Sequence, residues 1–170
     1  MSVAPFQLLA LQAAHDRTSF HSRSEPLNRY LREQVSQDIR RRVAACFVAL
    51  SQEQCIAGYY TLAAASVLLS DLPPAMGKKL PRYPTVPAVR MGRLAIDCAF
   101  EGQGLGSALL ADALERAARA EIASYALLVD AKDTTAAHFY QHHGFIRLPH
   151  ANLTLFLPLA TVQALSSFPK

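Results

Sequence analysis

The spacing of apolar and polar positions along the chain changes several times, and each change marks an element. Phe6 to Leu11 has strand character. Leu27, Leu31, Val35 and Ile39 then recur at helical spacing, with Tyr30 adjoining that face. Ser24 as N-cap and Pro26 in the first turn fit the start of this helix, and Arg40-Arg41-Arg42 its end. Ala44 to Leu50 and Ile56 to Val67 read as the strands of a hairpin turned at Ser51 to Gln54. Pro73, Pro74, Pro81, Pro84 and Pro87 break the stretch from Leu69 to Pro87 and leave room only for a short helix over Ala75 to Leu80. A strand over residues 86–97 leads into a Gly-rich turn, and a helix begins near Gly104 and runs to Ala120. Leu105, Leu109, Ala113 and Leu114 fall on one face of it; Asp112, Glu115, Arg116 and Arg119 take the other. Tyr125 to Asp130 is a short strand apolar on both faces, Thr134 to His143 a helix closed by Gly144 at C′, and Ile146 to Leu148 with Thr154 to Leu157 a closing hairpin. The order β-α-β-β-β-α-β-α-β predicts an α/β domain with a mixed, twisted sheet flanked by helices.

With 170 residues, 51% of them hydrophobic, the chain suits a single domain over residues 1–170. No apolar run approaches the ~20 residues of a membrane span, and Met1 to Pro5 lacks the basic start of a signal peptide. Cys46, Cys55 and Cys98 are odd in number and widely spaced; they suggest buried thiols in a cytoplasmic protein. The histidines form no H-E-x-x-H, and the adjacent His142 and His143 diverge by about 100° on a helix, so no metal site is expected. The net charge of +4 is a mild bias toward polyanionic partners.

The chemistry concentrates around Glu101-Gly102-Gln103-Gly104-Leu105-Gly106-Ser107. Alternating glycines clear one face of the turn, and backbone N–H groups at the following helix start can converge on an anion. A Walker A loop needs Gly-Lys after the turn, which is missing. A dinucleotide fingerprint needs a third Gly, but Ser107 or Leu109 stands there. The third candidate is the [QR]-x-x-G-x-[GA] loop of the GCN5-related N-acetyltransferases, which this turn resembles at Gly104 and Gly106 and leaves at Glu101. The turn by itself leaves open that it only caps a helix.

A second stretch joins the first. Asp133-Thr134-Thr135-Ala136-Ala137-His138-Phe139-Tyr140-Gln141-His142-His143-Gly144-Phe145 resembles the [ND]-x-x-A-x-x-[FL]-Y-x-x-x-G-F segment of the same family, and it follows the loop at the right distance. The resemblance implies the family's fold, a mixed sheet with helices on both faces, and acetyl-coenzyme A as co-substrate. It implies that backbone of Gly102, Gln103, Gly104, Leu105, Gly106 and Ser107 binds the coenzyme pyrophosphate, so that the first-position side chain is dispensable, although a carboxylate there is unfavourable unless it points away. Strands ending at Ile96 and Asp130 would splay to admit the pantetheine arm, paired by Leu94, Ala95 and Ile96, with Asp133 and Ala136 beside it. A strand N–H would stabilise the oxyanion, and Tyr140 would act as general acid to the leaving thiolate. Against that role stands the ordinary fate of a core aromatic with a satisfied hydroxyl; of the two neighbours, Phe139 is the expected core residue.

Phe20, Ser24-Glu25-Pro26-Leu27-Asn28-Arg29-Tyr30-Leu31, Ala45-Cys46-Phe47-Val48 and Gly58-Tyr59-Tyr60-Thr61-Leu62-Ala63-Ala64 extend the resemblance to a bacterial subgroup, the toxins of toxin–antitoxin modules. Ser22-Arg23-Ser24 departs from it where Cys-Gly is usual. This subgroup acetylates the α-amino group of aminoacyl-tRNA and pairs with a ribbon-helix-helix antitoxin; the resemblance further implies a homodimer. No Glu or His stands out as base. A lysine amine, pKa ~10.4, would need one; an α-amine, pKa ~7.7–8.0, needs it far less. Arg29, Arg32, Arg40, Arg41, Arg42, Lys78, Lys79, Arg82, Arg90 and Arg93 could supply an RNA face, although most basic residues are merely solvated; Arg90 and Arg93 adjoin the expected cleft. Acetylation of a free small amine would call for an acidic pocket, and the Asp and Glu count is low; an inactive binding module would be expected to lack Tyr140 or the glycines.

Overall fold

A computed structural model describes residues 5–166. Of Met1 to Pro5, over which no signal peptide is expected, Met1 to Ala4 lie outside them. Seven strands form one sheet in the order β1-β2-β3-β4-β5-β7-β6: β1 Gln7–Ala10, β2 Ala45–Leu50, β3 Ile56–Leu68, β4 Thr85–Ile96, β5 Ala126–Asp130, β6 Ile146–Leu148 and β7 Ala151–Pro158. β4 and β5 are parallel, while β1–β2, β2–β3, β5–β7 and β6–β7 are antiparallel. The sheet is therefore mixed, as the element order predicts. The chain divides into two compact units. One comprises the chain up to Ala63 with Gly92–Ala113, the other Ala64–Met91 with the chain from Leu114 on.

In the first unit, Ser24 caps helix α1 (Glu25–Arg29) by accepting from the Leu27 N–H at 3.4 Å, with Pro26 in the first turn. A π-helical segment, Tyr30–Gln34, separates α1 from α2 (Val35–Arg40). The sequence predicts an uninterrupted helix here. Leu27, Leu31, Val35 and Ile39 are spaced by four, and on an α-helix each step of four overshoots a full turn by about 40°. A wider π turn absorbs part of that drift. Leu31 and Val35 are fully buried, and Leu27 and Ile39 pack at the margin of the same cluster with Phe20, Val48 and Tyr59. The Tyr59 hydroxyl donates to the Leu27 carbonyl at 2.6 Å.

Helix α4 (Leu105–Arg119) lies close to β3 and β4. A Cβ on Gly58 would meet Leu109 Cδ1 at 2.9 Å and the Ala95 carbonyl oxygen at 3.0 Å, so this approach requires glycine. Leu105, Leu109, Leu110 and Ala113 are buried along α4. Asp112 is not on a solvent face: it accepts from the Tyr60 hydroxyl at 2.6 Å. The thiols also depart from expectation. Cys46 is buried in β2, but Cys55, in the hairpin turn, and Cys98, in the 3-10 turn after β4, are exposed.

In the second unit, α3 is a single turn, Pro74–Gly77, within the Pro-rich stretch. β5 pairs with β4 over Ala88–Met91 and with β7, and the successive residues Ala126 to Val129 are all buried, so both of its faces are covered, which explains its continuous apolar run. Asp133 caps α5 (Thr134–His142), and Gly144 follows it at φ 93°. A further helix, α6 (Leu159–Ser166), extends the predicted closing hairpin.

Candidate active site

The turn after β4 is built as the glycine pattern requires. Gly102 and Gly104 have φ of 79° and 76°, left-handed backbone that a residue with a Cβ adopts only under strain. Nothing lies within 4 Å of where a Cβ would sit on either, so they are needed for the path of the chain, and the space over the turn is open. The Ala108 N–H closes onto the Gly104 carbonyl at 3.1 Å. N–H groups ahead of it point out of the start of α4, where the helix dipole is positive. Exposed glycines in left-handed turns, open space and a 15-residue helix start make a cradle that fits a phosphate group.

Glu101 opens this turn, and its carboxylate is engaged. Arg23 Nε donates to both its oxygens, at 2.9 and 3.1 Å. That hydrogen bond, with the charge of Arg23, holds the Glu101 carboxyl below the usual range. The segment before α1, around His21 and Ser22, is stitched onto the end of β4. Asp97 accepts from the backbone N–H of His21 at 2.8 Å and of Ala99 at 2.8 Å, and Ser22 bridges to Asp97. Asn28, fully buried, accepts from the Ser22 N–H and hydroxyl at 2.8 and 2.7 Å. Sequence reasoning missed Arg23, Asp97, Ser22 and Asn28. The available signal was the pair of departures from the family pattern, at residues 22–23 and at Glu101.

Of the remaining candidates in the first unit, Ala95 is buried, while Leu94 and Ile96 are half-buried. The Arg93 guanidinium lies 3.6 Å from the centroid of the Tyr30 ring, a cation–π contact that occupies one face of it. Tyr30 donates its hydroxyl to Asp38 at 2.7 Å.

In the second unit, Asp133 Oδ1 accepts from the Ala136 N–H at 2.8 Å, which fixes the start of α5. Tyr140 is buried, with 8% of its surface exposed, and Phe139 is the half-exposed neighbour, so the expected assignment of the core aromatic is reversed. The reason is the helical period. Ala137, fully buried, and Tyr140 are three residues apart and share the inner face; Phe139 is about 200° from Ala137. The Tyr140 ring packs against Phe139 and Phe145, with centroids 5.2 and 5.6 Å away. Among the described residues, its hydroxyl has no hydrogen-bond partner. Burial, and secondarily the charge of Asp130, pushes its pKa up to about 12, so it keeps its proton at neutral pH. Asp130 is bridged by Arg90 and accepts from the Thr154 hydroxyl at 2.9 Å. Arg40, Arg41, Arg42, Lys78, Lys79 and Arg82 are exposed, and Arg32 pairs with Glu25 at 2.9 Å.

Among the described residues, no group of three or more His, Cys, Asp or Glu could hold a metal ion, and no helix is long and apolar enough to cross a membrane.

A family profile described as an acetyltransferase (GNAT) domain matches residues 42–147. A tRNA-acetylating toxin of Mycobacterium tuberculosis (strain H37Rv) is 36% identical over 154 residues, 89% of this chain and 91% of its own. The toxin AtaT complexed with acetyl-methionyl-tRNAfMet superposes with a TM-score of 0.88 at 30% identity, covering 94% of this chain and 98% of that one. A Tyr-to-Phe variant of AtaT, bound to the C-terminus of the antitoxin AtaR and to acetyl-CoA, superposes at 0.81 with 25% identity, covering 97% and 100%. A profile that covers the Gly-rich turn and α5, together with a relative aligned over nearly the whole length, decides between the readings that the turn alone left open: the chain belongs to the GCN5-related N-acetyltransferases.

Proposed function

We propose that this chain is the toxin of a toxin–antitoxin module and transfers the acetyl group of acetyl-coenzyme A to the α-amino group of aminoacyl-tRNA, thereby blocking translation. The observation that carries the proposal is the 36% identity to a tRNA-acetylating toxin across 89% of the chain. On this reading residues 1–170 are one catalytic domain. Gly102 to Ser107 hold the coenzyme pyrophosphate through backbone N–H groups, and Leu94, Ala95 and Ile96 offer backbone to the pantetheine arm; Asp133 and Ala136, at the start of α5, are the further proposed coenzyme contacts.

The amine attacks the thioester carbonyl, a strand N–H donates to the oxyanion, the nitrogen gives up a proton to solvent, and the C–S bond breaks with its electron pair leaving on sulfur. Tyr140 has a proton to offer and no partner among the described residues that competes for it. The thiolate of a thiol of ordinary pKa ~8.5 is a weaker base than the phenolate of a phenol of pKa about 12, so complete transfer to the thiolate is uphill. Hydrogen bonding to the developing thiolate is the part of the general-acid role that burial favours. An α-amine is partly free base at neutral pH, which suits a chain with no side chain singled out as base. Arg90 and Arg93 are the proposed contacts to tRNA phosphates. The AtaT–AtaR complex supports an antitoxin partner, for which a ribbon-helix-helix protein is proposed, together with a homodimer in the cytoplasm, where charged tRNA resides.

The test incubates purified protein with labelled acetyl-CoA and total aminoacyl-tRNA and follows label into N-acetyl-aminoacyl-tRNA after nuclease digestion. Label on charged tRNA is expected. Brisk acetylation of a small amine with none on tRNA would overturn the substrate while leaving the family intact.

A further inference from the structure

We propose that Arg23, held at the mouth of the Gly-rich turn by Glu101, is a phosphate-binding residue for the coenzyme. The inference rests on the reading that this turn takes the pyrophosphate. Two departures from the family pattern, far apart in sequence, meet here: Arg23 stands in the segment where Cys-Gly is usual, and Glu101 where the loop's pattern has Gln or Arg. Alone, Glu101 would set a carboxylate beside a dianionic ligand. Paired, it becomes a tether.

Arg23 uses only its Nε–H on Glu101, reaching both oxygens, at 2.9 and 3.1 Å. Its two Nη groups have no acceptor among the described residues, and its side chain is 79% exposed. The backbone under it is fixed by neighbours of the turn. Cys98 N–H donates to the His21 carbonyl at 2.9 Å, Asp97 accepts from the His21 N–H, and Ser22 is locked by the buried Asn28. A guanidinium is thus held, from a rigid support, against the carboxylate of the residue that stands where the pattern carries Gln or Arg. It keeps the planar fork that binds phosphate oxygens.

The experiment is calorimetric titration of acetyl-CoA into wild type, Arg23→Ala, and the Arg23→Ala/Glu101→Ala double variant, with folding checked by circular dichroism. Arg23→Ala is expected to weaken binding about five- to tenfold, less at high salt because the site is exposed. The double variant is expected to stay several-fold weaker than wild type. Two results overturn the proposal: wild-type affinity in Arg23→Ala, or recovery of wild-type affinity in the double variant, which would make Arg23 only a neutraliser of Glu101. Failure of wild type itself to bind acetyl-CoA would instead overturn the pyrophosphate reading, and this inference with it.

Discussion

Replacing Tyr140 with Phe separates the ring from the proton. The ring is what the fold uses: it packs on Phe139 and Phe145, and Phe preserves both contacts. The hydroxyl has no hydrogen-bond partner among the described residues, so its removal breaks no hydrogen bond there. Stability is therefore expected to change by less than about 1 kcal/mol, against the ~1–3 kcal/mol cost of orphaning a hydrogen-bonded partner. Catalysis should behave differently. A hydrogen bond to a charged group contributes roughly 1.5–3 kcal/mol, which at about 1.4 kcal/mol per tenfold is roughly 10- to 150-fold in rate. Full proton transfer would add to this, toward ~10²–10⁴-fold. The pKa of about 12 argues for the lower range. The assay is single-turnover acetylation at saturating acetyl-CoA, with Kd for the coenzyme measured alongside. A drop in the rate constant with Kd and melting temperature unchanged is expected. A wild-type rate would make Tyr140 a packing residue only; a rate loss accompanied by a large fall in melting temperature would refute the claim that its hydroxyl has no structural role.

Gly104→Val puts a β-branched side chain at φ 76°, where space is open but the backbone is strained; acetyl-CoA affinity should fall at least about tenfold with the fold retained, and calorimetry beside circular dichroism checks both. Gly58→Ala drives a methyl to 2.9 Å from Leu109 Cδ1 and 3.0 Å from the Ala95 carbonyl oxygen, so a loss of about 1–3 kcal/mol in denaturant unfolding is expected. If charged tRNA is the acceptor, its binding should weaken steeply with salt, and Arg90→Ala or Arg93→Ala should flatten that slope; filter binding across a salt series measures it. Burial raises the pKa of Cys46 and of Tyr140 to about 12, and those of Tyr30 and Tyr59 also rise. The unfolded chain loses these protons first, from pH ~8.5 for Cys and ~10 for Tyr, so it binds fewer protons than the native state in that window. The stability these groups contribute is complete below pH ~8.5 and is lost as pH rises toward 12; a melting temperature that stays level from pH 8 to 11 would contradict the assigned burial.

Sequence alone determined the features governed by local rules. Ser24 before Glu25-Pro26 is a cap wherever it folds, glycines at 102 and 104 permit a left-handed turn that other residues resist, and Gly144 ends a helix for the same reason. Four apolar residues in β5 predict a strand buried on both faces. These signals, read as motifs, also carried the family and the candidate residues. Tertiary structure decided what depends on distant neighbours. α6, with only eight residues, is too short to hold by propensity; the Leu159 N–H is tied to the Tyr125 carbonyl at 2.8 Å. Tyr140 rather than Phe139 turns inward because the buried Ala137 sets the phase of α5, and that phase is fixed by what the helix packs on. Glu101 looks unfavourable in the linear chain because its partner is 78 residues away, and only folding brings Arg23 to it. A motif records which backbone torsions are allowed, but the charge felt at a position is the sum over its spatial neighbours, and those are set by the fold.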